Sequence, residues 1–400
     1  MAESESIGLG AWIARSALDG VAEIDLLAGL CERLNAAGVQ IMRAAIGGDL
    51  LDPVFDSRGL RWARGAGGIE ETFAREADPT MNEDWARSPF FAMIKRGDDF
   101  LRRRMGDDVV RGEFPVVDEL AAQGATDYAT FLTRVGTDGW QRKVEGMVSS
   151  WTTDAQGGFT DAQLDLVAAM LPTLALAFTL RTTRQTARTL VTTYLGSDAA
   201  ERVLAGNIVR GQAEPLRAVV WFSDLAGFTR ISETVGPAGV LALLNAYAEV
   251  QVDAIEAHGG HVLKFIGDGI LAIFPEEGAA PACARALDAA VDCRARMAEL
   301  STQRRAAGLP VVDAHLALHV GDLLYGNVGS PRRLDFTVLG PAVNEAARIE
   351  ALCGSLDQAV VVSWAFAEAA GDARSRLVSL GRYALKGVSR PQEMFTLDVE

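Results

Sequence analysis

Ala218-Val219-Val220-Trp221-Phe222-Ser223-Asp224-Leu225-Ala226-Gly227-Phe228-Thr229 is the stretch from which the rest of the chain can be read. Its first five residues are apolar without a break, which suits a central strand covered on both faces rather than a half-wet edge strand. The run stops at Ser223-Asp224, so a carboxylate stands at a strand end, and Gly227 lets backbone approach a ligand closely. Further along, His261 to Phe274 reads as a hairpin whose two apolar runs meet at Gly267-Asp268-Gly269, where glycine supplies the positive φ of a tight turn. If the two strands are neighbours, Asp224 and Asp268 converge. Paired carboxylates beside backbone N–H groups can hold Mg2+ on a triphosphate, because this cation takes oxygen ligands and keeps its phosphate partners.

Phe222-Ser-Asp-Leu-Ala-Gly-Phe-Thr229 and Lys264-Phe-Ile-Gly-Asp-Gly269 resemble the first signatures of the class III nucleotide cyclases. Thr337-Val-Leu-Gly-Pro-Ala-Val-Asn344-Glu-Ala-Ala-Arg348 resembles a third, and Leu385-Lys386-Gly387 the C-terminal Lys-Gly of that family. The four matches come in family order and cover about residues 217 to 400. The resemblance implies that Asp224 and Asp268, with the backbone carbonyl of Leu225, hold two Mg2+ or Mn2+ ions. The turn Ala226-Gly227-Phe228-Thr229 and Gly267 then line the triphosphate of ATP. Asn344 orients the ribose, Arg348 steadies charge on the α-phosphoryl oxygens, and Lys386 and Arg332 resemble further triphosphate-binding cations. Lys264 and Thr337 stand where family adenylate cyclases read adenine, whereas guanylate cyclases typically carry Glu and Cys there. Thr at this position resembles the subgroup of soluble, bicarbonate-responsive cyclases. In the family the aspartates come from one protomer and Lys264, Thr337, Asn344 and Arg348 from the other, which implies a homodimer.

The bounds of the chain agree with a folded protein that is not built for nucleic acid. It has 400 residues, enough for two or three domains, with 49% hydrophobic and 23% charged residues. A net charge of −15 argues against nucleic-acid partners, which need Lys and Arg to neutralise phosphates. Cys31, Cys283, Cys293 and Cys353 show no metal-finger spacing and read as small buried hydrophobes. His315 and His319 are four apart on a strand-like run, which gives no closed metal site. The first residues lack the basic and apolar regions of a signal peptide, and the uncharged stretch Leu166 to Leu180 falls short of the roughly 20 residues of a spanning helix. The expectation is a cytoplasmic protein without a membrane span.

The expected architecture is α+β: residues 1–178 as a GAF-like sensor, 179–213 as a helical linker, and 214–400 as a ferredoxin-like, palm-related cyclase domain of order βααββαβ with its helices on one face. A helix near Leu27, Leu30 and Leu34 precedes a strand from Val39, and Leu50 to Trp62 supplies its hairpin partner. Gly65 to Val110 reads as charged and irregular. Tyr128 to Val135 and Lys143 to Thr153 read as an antiparallel pair around Gly136-Thr-Asp-Gly139. Thr160 then caps a long helix with Asp161 in its first turn, and the run Phe159 to Leu166 gives the resemblance to a GAF domain. Such a module implies a small-molecule or protein signal of unknown identity, or a module that only dimerises. Other readings of the C-terminal half are a guanylate cyclase and a degenerate nucleotide-binding regulator. A diguanylate cyclase is disfavoured because its Gly-Gly-Asp/Glu-Glu-Phe hairpin is here Ile-Gly-Asp-Gly-Ile.

Overall fold

Residues 2–75, 83–106, 112–136, 146–276, 281–386 and 391–398 are described by a computed structural model. The chain divides into two units, Met1–Leu190 and Val191–Glu400. The first contains helices α1 (Ala2–Leu18) and α2 (Glu23–Ala36), strands β1 (Ile41–Asp49), β2 (Phe55–Ala63) and β3 (Gly67–Ala74), and helices α3 (Glu83–Ala86) and α4 (Pro89–Arg96). Strand β4 (Phe100–Arg104), helix α5 (Pro115–Ala122), strands β5 (Asp127–Arg134) and β6 (Gly146–Thr153) and helix α6 (Asp161–Leu195) follow. The strands form one antiparallel sheet in the order β3-β2-β1-β6-β5-β4. Leu27, Leu30 and Leu34 of α2 and Leu171, Leu174 and Phe178 of α6 pack on one face of it. Met93 of α4 and Val117 and Leu120 of α5 join Tyr128 and Val148 on the other.

The expected helix, strand and hairpin at the start of this unit are present, and β5 pairs with β6 as the alternation predicts; 137–145 of the turn between them lie outside the described residues. Helix α6 opens on a reciprocal cap, with Gln163 N donating to Thr160 Oγ1 at 3.3 Å and Thr160 N to Gln163 Oε1 at 2.9 Å. The described parts of Gly65 to Val110, read as irregular, hold β3, α3, α4 and β4. The pattern misleads because β3 and β4 are the two edge strands and carry ion pairs, Arg61 to Glu71 at 2.9 Å and Arg103 to Glu113 at 2.7 Å, so charge hides their periodicity.

The second unit contains α7 (Ser197–Leu204), β7 (Ala213–Leu225), α8 (Phe228–Thr234), α9 (Pro237–Ala257), β8 (His261–Ile266), β9 (Gly269–Pro275) and α10 (Ala282–Ala306). Then come β10 (Ala314–Ser330), β11 (Arg333–Leu339), α11 (Pro341–Glu350), α12 (Cys353–Leu356), β12 (Val360–Ser363), α13 (Trp364–Ala369), β13 (Leu377–Tyr383) and β14 (Gln392–Leu397). The sheet runs β8-β9-β7-β10-β12-β14-β13, with β11 paired to the far half of β10. Its first four strands keep the ferredoxin-like order, extended beyond β10 by the last three. Strand β7 is central and covered twice: Val219, Trp221 and Leu225 face the core under α9 and α10, while Ala218 and Val220 face the opposite core with Ala342 and Ala346 of α11.

Two expectations are corrected here. The helices do not all lie on one face, because α7 and α11 bury Ala199, Ala342 and Ala346 against the side away from α9 and α10. Ala314 to Val320 and Asp322 to Val328, which as two strand-like runs either side of Gly321 suggest a strand pair, belong instead to a single strand, β10, whose residues 314–326 pair with β7. Gly321 is not a turn glycine. A Cβ there would stand 2.7 Å from Cβ of Ala342, so the glycine admits α11 against the strand.

All four cysteines are free and buried. Among the described residues two helices, α6 and α9, reach the span of a bilayer by length and hydropathy, which the stretch Leu166 to Leu180 alone did not suggest. Each gives apolar residues to a core, among them Leu171 and Leu174 from α6 and Leu243 and Ile255 from α9.

Candidate active site

The site begins where β7 runs out. Ser223 is fully buried, and its hydroxyl donates to Gln251 Oε1 of α9 at 2.6 Å, while Trp221 Nε1 donates to the same oxygen at 3.2 Å. This polar clamp fixes the strand just before Asp224. Beyond it, Ala226 N donates to Asp313 O at 2.9 Å and Gly227 takes a left-handed φ of 73°, turning the chain into α8 with Phe228 and Thr229 as its first residues.

Gly267, with φ 66°, and Asp268 make the turn between β8 and β9. Gly269 is the point of closest approach, since a Cβ there would lie 2.8 Å from Ser223 O and 3.7 Å from Asp224 Oδ1. Asp224 and Asp268 therefore come together where β7 and β9 pair. Burial, then the adjacent carboxylate of Asp224, pushes the Asp268 carboxyl up to about 6. Leu225 joins the pair through its backbone N–H, which donates to Asp224 Oδ1 at 3.0 Å. Among the described residues no cluster of three or more His, Cys, Asp or Glu is placed to hold a metal.

One residue near the pair carried no signal in the sequence. Glu350, the last residue of α11, lies on the Asp224 face of the sheet with its side chain 13% exposed, 3.9 Å from Nδ1 of His315. His315 is the cross-strand partner of Asp224. Burial, followed by the charges of Asp224 and Asp268, raises the Glu350 carboxyl to about 7. Only the packing of α11 across β7 and β10 brings these groups together.

The base-reading candidates form a second cluster. Lys264 of β8 reaches Asp335 of β11, with Nζ to Oδ2 at 2.5 Å. Asp335 is the other residue that the sequence did not single out. Thr337, two positions along the same strand, is 5% exposed, and its hydroxyl is buried without a hydrogen-bond partner. Asn344 is exposed on α11, and Arg348, one turn later, is half-buried. Arg332, in the turn between β10 and β11, and Lys386, after β13, are exposed; Gly387 lies outside the described residues. Among the described residues, no hydrogen bond or ion pair joins Lys264, Thr337, Asn344 or Arg348 to the carboxylate pair.

Residues 212–399 match the family described as adenylate and guanylate cyclase catalytic domain. An adenylate cyclase of Anabaena cylindrica is 37% identical over 152 residues, which is 36% of this chain and 29% of that protein. Adenylate cyclase 1 of Rhizobium meliloti (strain 1021) is 30% identical over 184 residues, 42% of this chain and 27% of that protein. The chain thus spans less than a third of the length of these two relatives. A solved bacterial light-regulated adenylyl cyclase aligns with a TM-score of 0.49 and 26% identity, covering 56% of this chain and 63% of that one. The stretch 212–399 is a class III adenylate/guanylate cyclase catalytic domain.

Proposed function

We propose that this chain is an adenylate cyclase, forming 3′,5′-cyclic AMP and pyrophosphate from ATP at the Asp224–Asp268 pair. The observation that carries this reading is the convergence of those two carboxylates at the mouth of β7 and β9. The donor set fits Mg2+ or Mn2+: the two carboxylates, hard oxygen donors, stand close enough for the charge of Asp224 to raise the pKa of Asp268, and a divalent cation held between them would offset that repulsion. Bound there, such cations would lower the pKa of the ribose 3′-hydroxyl and offset phosphate charge. The 3′-oxygen attacks the α-phosphorus in line and pyrophosphate leaves. Arg348 is half-buried and has no hydrogen bond or ion pair among the described residues, so its guanidinium is available to the α-phosphoryl oxygens, where charge grows in the transition state. Asn344, at i−4 on the same helix, is spaced to hold the ribose.

Adenine is favoured by what lies around Thr337. Its unpartnered hydroxyl can accept from the N6 amine, and Lys264, held by Asp335, can donate to N1. Guanine offers a donor at N1 and an acceptor at O6, the reverse of this pattern.

The active unit in this proposal is a homodimer in which the carboxylate pair of one protomer faces Lys264, Thr337, Asn344 and Arg348 of its partner. Phe265 and Ile266, 57% and 46% exposed between Lys264 and Asp268, support it as apolar surface beside the site. The first unit acts as a GAF-like sensor whose state is passed on along α6.

The purified chain, incubated with ATP or GTP and Mg2+ or Mn2+, should yield cyclic AMP from ATP. Cyclic GMP alone would remove the adenine assignment, and no cyclic product from either nucleotide would remove the enzyme. Asp224→Ala and Arg348→Ala chains, each inactive, should recover partial activity when mixed, because one of the two heterodimer sites is intact. No recovery with subunit exchange verified would remove the shared site.

A further inference from the structure

The face of the first sheet away from α2 and α6 encloses a cavity of about 330 Å³ that the cyclase chemistry does not use. Its floor is bare backbone. Gly47 of β1 and Gly59 of β2 are cross-strand partners on the cavity side, so neither strand puts a side chain there. Phe73, Trp85, Phe90 and Val148 supply apolar walls.

Arg43 is the one lining cation without a hydrogen bond or ion pair among the described residues, its charge offset only through space by Glu71 and Glu119. Arg61 pairs with Glu71 at 2.9 Å and Arg58 with Glu23 at 2.5 Å, whereas Arg43 has neither a hydrogen bond nor an ion pair there. Its guanidinium is nonetheless drawn out of water: burial, then the nearby Arg61, holds its pKa below the ordinary arginine value. A half-buried cation without a direct ion pair gains when an anion arrives, and a guanidinium forks onto a carboxylate with two parallel hydrogen bonds.

We propose that this cavity binds a small aromatic carboxylic acid, its ring on the Gly47–Gly59 floor between the aromatic walls and its carboxylate on Arg43. Asp49, Asp56, Glu71 and Asp84 also line the cavity, so the single unpaired guanidinium can hold a monoanion but not a phosphate dianion. The volume lies at the low end of ligand pockets, which run from about 300 to 1,000 Å³, so one or two fused rings fill it. The proposal deepens the reading of the first unit as a sensor by giving its signal a chemical class, and its test does not depend on turnover.

The full chain is titrated by calorimetry with indole-3-acetate, its neutral isostere indole-3-acetamide, and inorganic phosphate. Indole-3-acetate should bind at least tenfold more tightly than the amide, and phosphate should not bind at this site. Arg43→Gln should reduce indole-3-acetate affinity at least tenfold while leaving the amide unchanged. Gly59→Leu fills the floor and should abolish binding of both; its Cβ makes only an ordinary 3.5 Å contact with Phe73, so the melting temperature reports whether the fold is kept. Equal affinity for acid and amide, or no effect of either substitution in a folded chain, overturns the proposal. So does an absence of binding to both indoles. Binding that leaves the cyclase rate unchanged upholds the ligand site and removes the sensor role.

Discussion

Glu350→Gln should make the protein more stable at pH 8 and leave it unchanged at pH 4. In the fold the carboxyl is raised from 4.5 to about 7, by burial first and then by the charges of Asp224 and Asp268. A group whose pKa is raised on folding binds more protons in the native state, so its contribution is present below pH 4.5 and is lost as pH rises to about 7. The shift corresponds to roughly 3 kcal/mol at about 1.4 kcal/mol per unit. Relaxation and residual solvent leave about 1–2 kcal/mol as the realistic size. Glutamine keeps the volume and cannot ionise, so at pH 8 it relieves this penalty, with a rise of about 2–8 °C in the melting temperature of a unit this size. The assay is thermal unfolding of wild type and variant at pH 4, 6 and 8 with a chelator present. A variant no more stable than wild type at pH 8, or equally stabilised at every pH, would refute the placement of Glu350 beside the two aspartates.

Asp335→Asn should lower the ratio of kcat/KM for ATP over GTP about tenfold, roughly 1.4 kcal/mol, because Lys264 loses the partner that aims it; steady-state assays with both nucleotides check this. Gly269→Ala should cost about 1–3 kcal/mol and reduce cyclase activity, since its Cβ would press on Ser223 O at 2.8 Å and part β7 from β9; urea unfolding measures the first and cyclic-nucleotide yield the second. Asp127→Ala should destabilise the first unit by about 2–4 kcal/mol, because the fully buried carboxylate accepts from Arg102 at 2.6 Å and from Phe159 N at 3.0 Å, and its loss leaves that buried N–H unpaired; chemical unfolding of that unit is the measurement.

The amino-acid sequence by itself determined the strand at Ala218, the hairpin around Asp268 and their carboxylates, because these rest on local rules: unbroken apolar runs, turn glycines and the spacing of side chains along a strand. The same locality explains the cap at Thr160 and the length of α6. Tertiary structure alone decided that Gly321 serves helix packing rather than a turn, that α11 crosses the face opposite α9 and α10, and that Glu350 and Asp335 stand beside residues 126 and 71 positions away in the chain, Asp224 and Lys264. It also left Arg43 facing a cavity, a placement that no periodicity along β1 discloses. The physical reason is range. Local preference acts over a few residues, whereas burial, charge pairing and pKa shifts are set by neighbours that only the packed chain supplies.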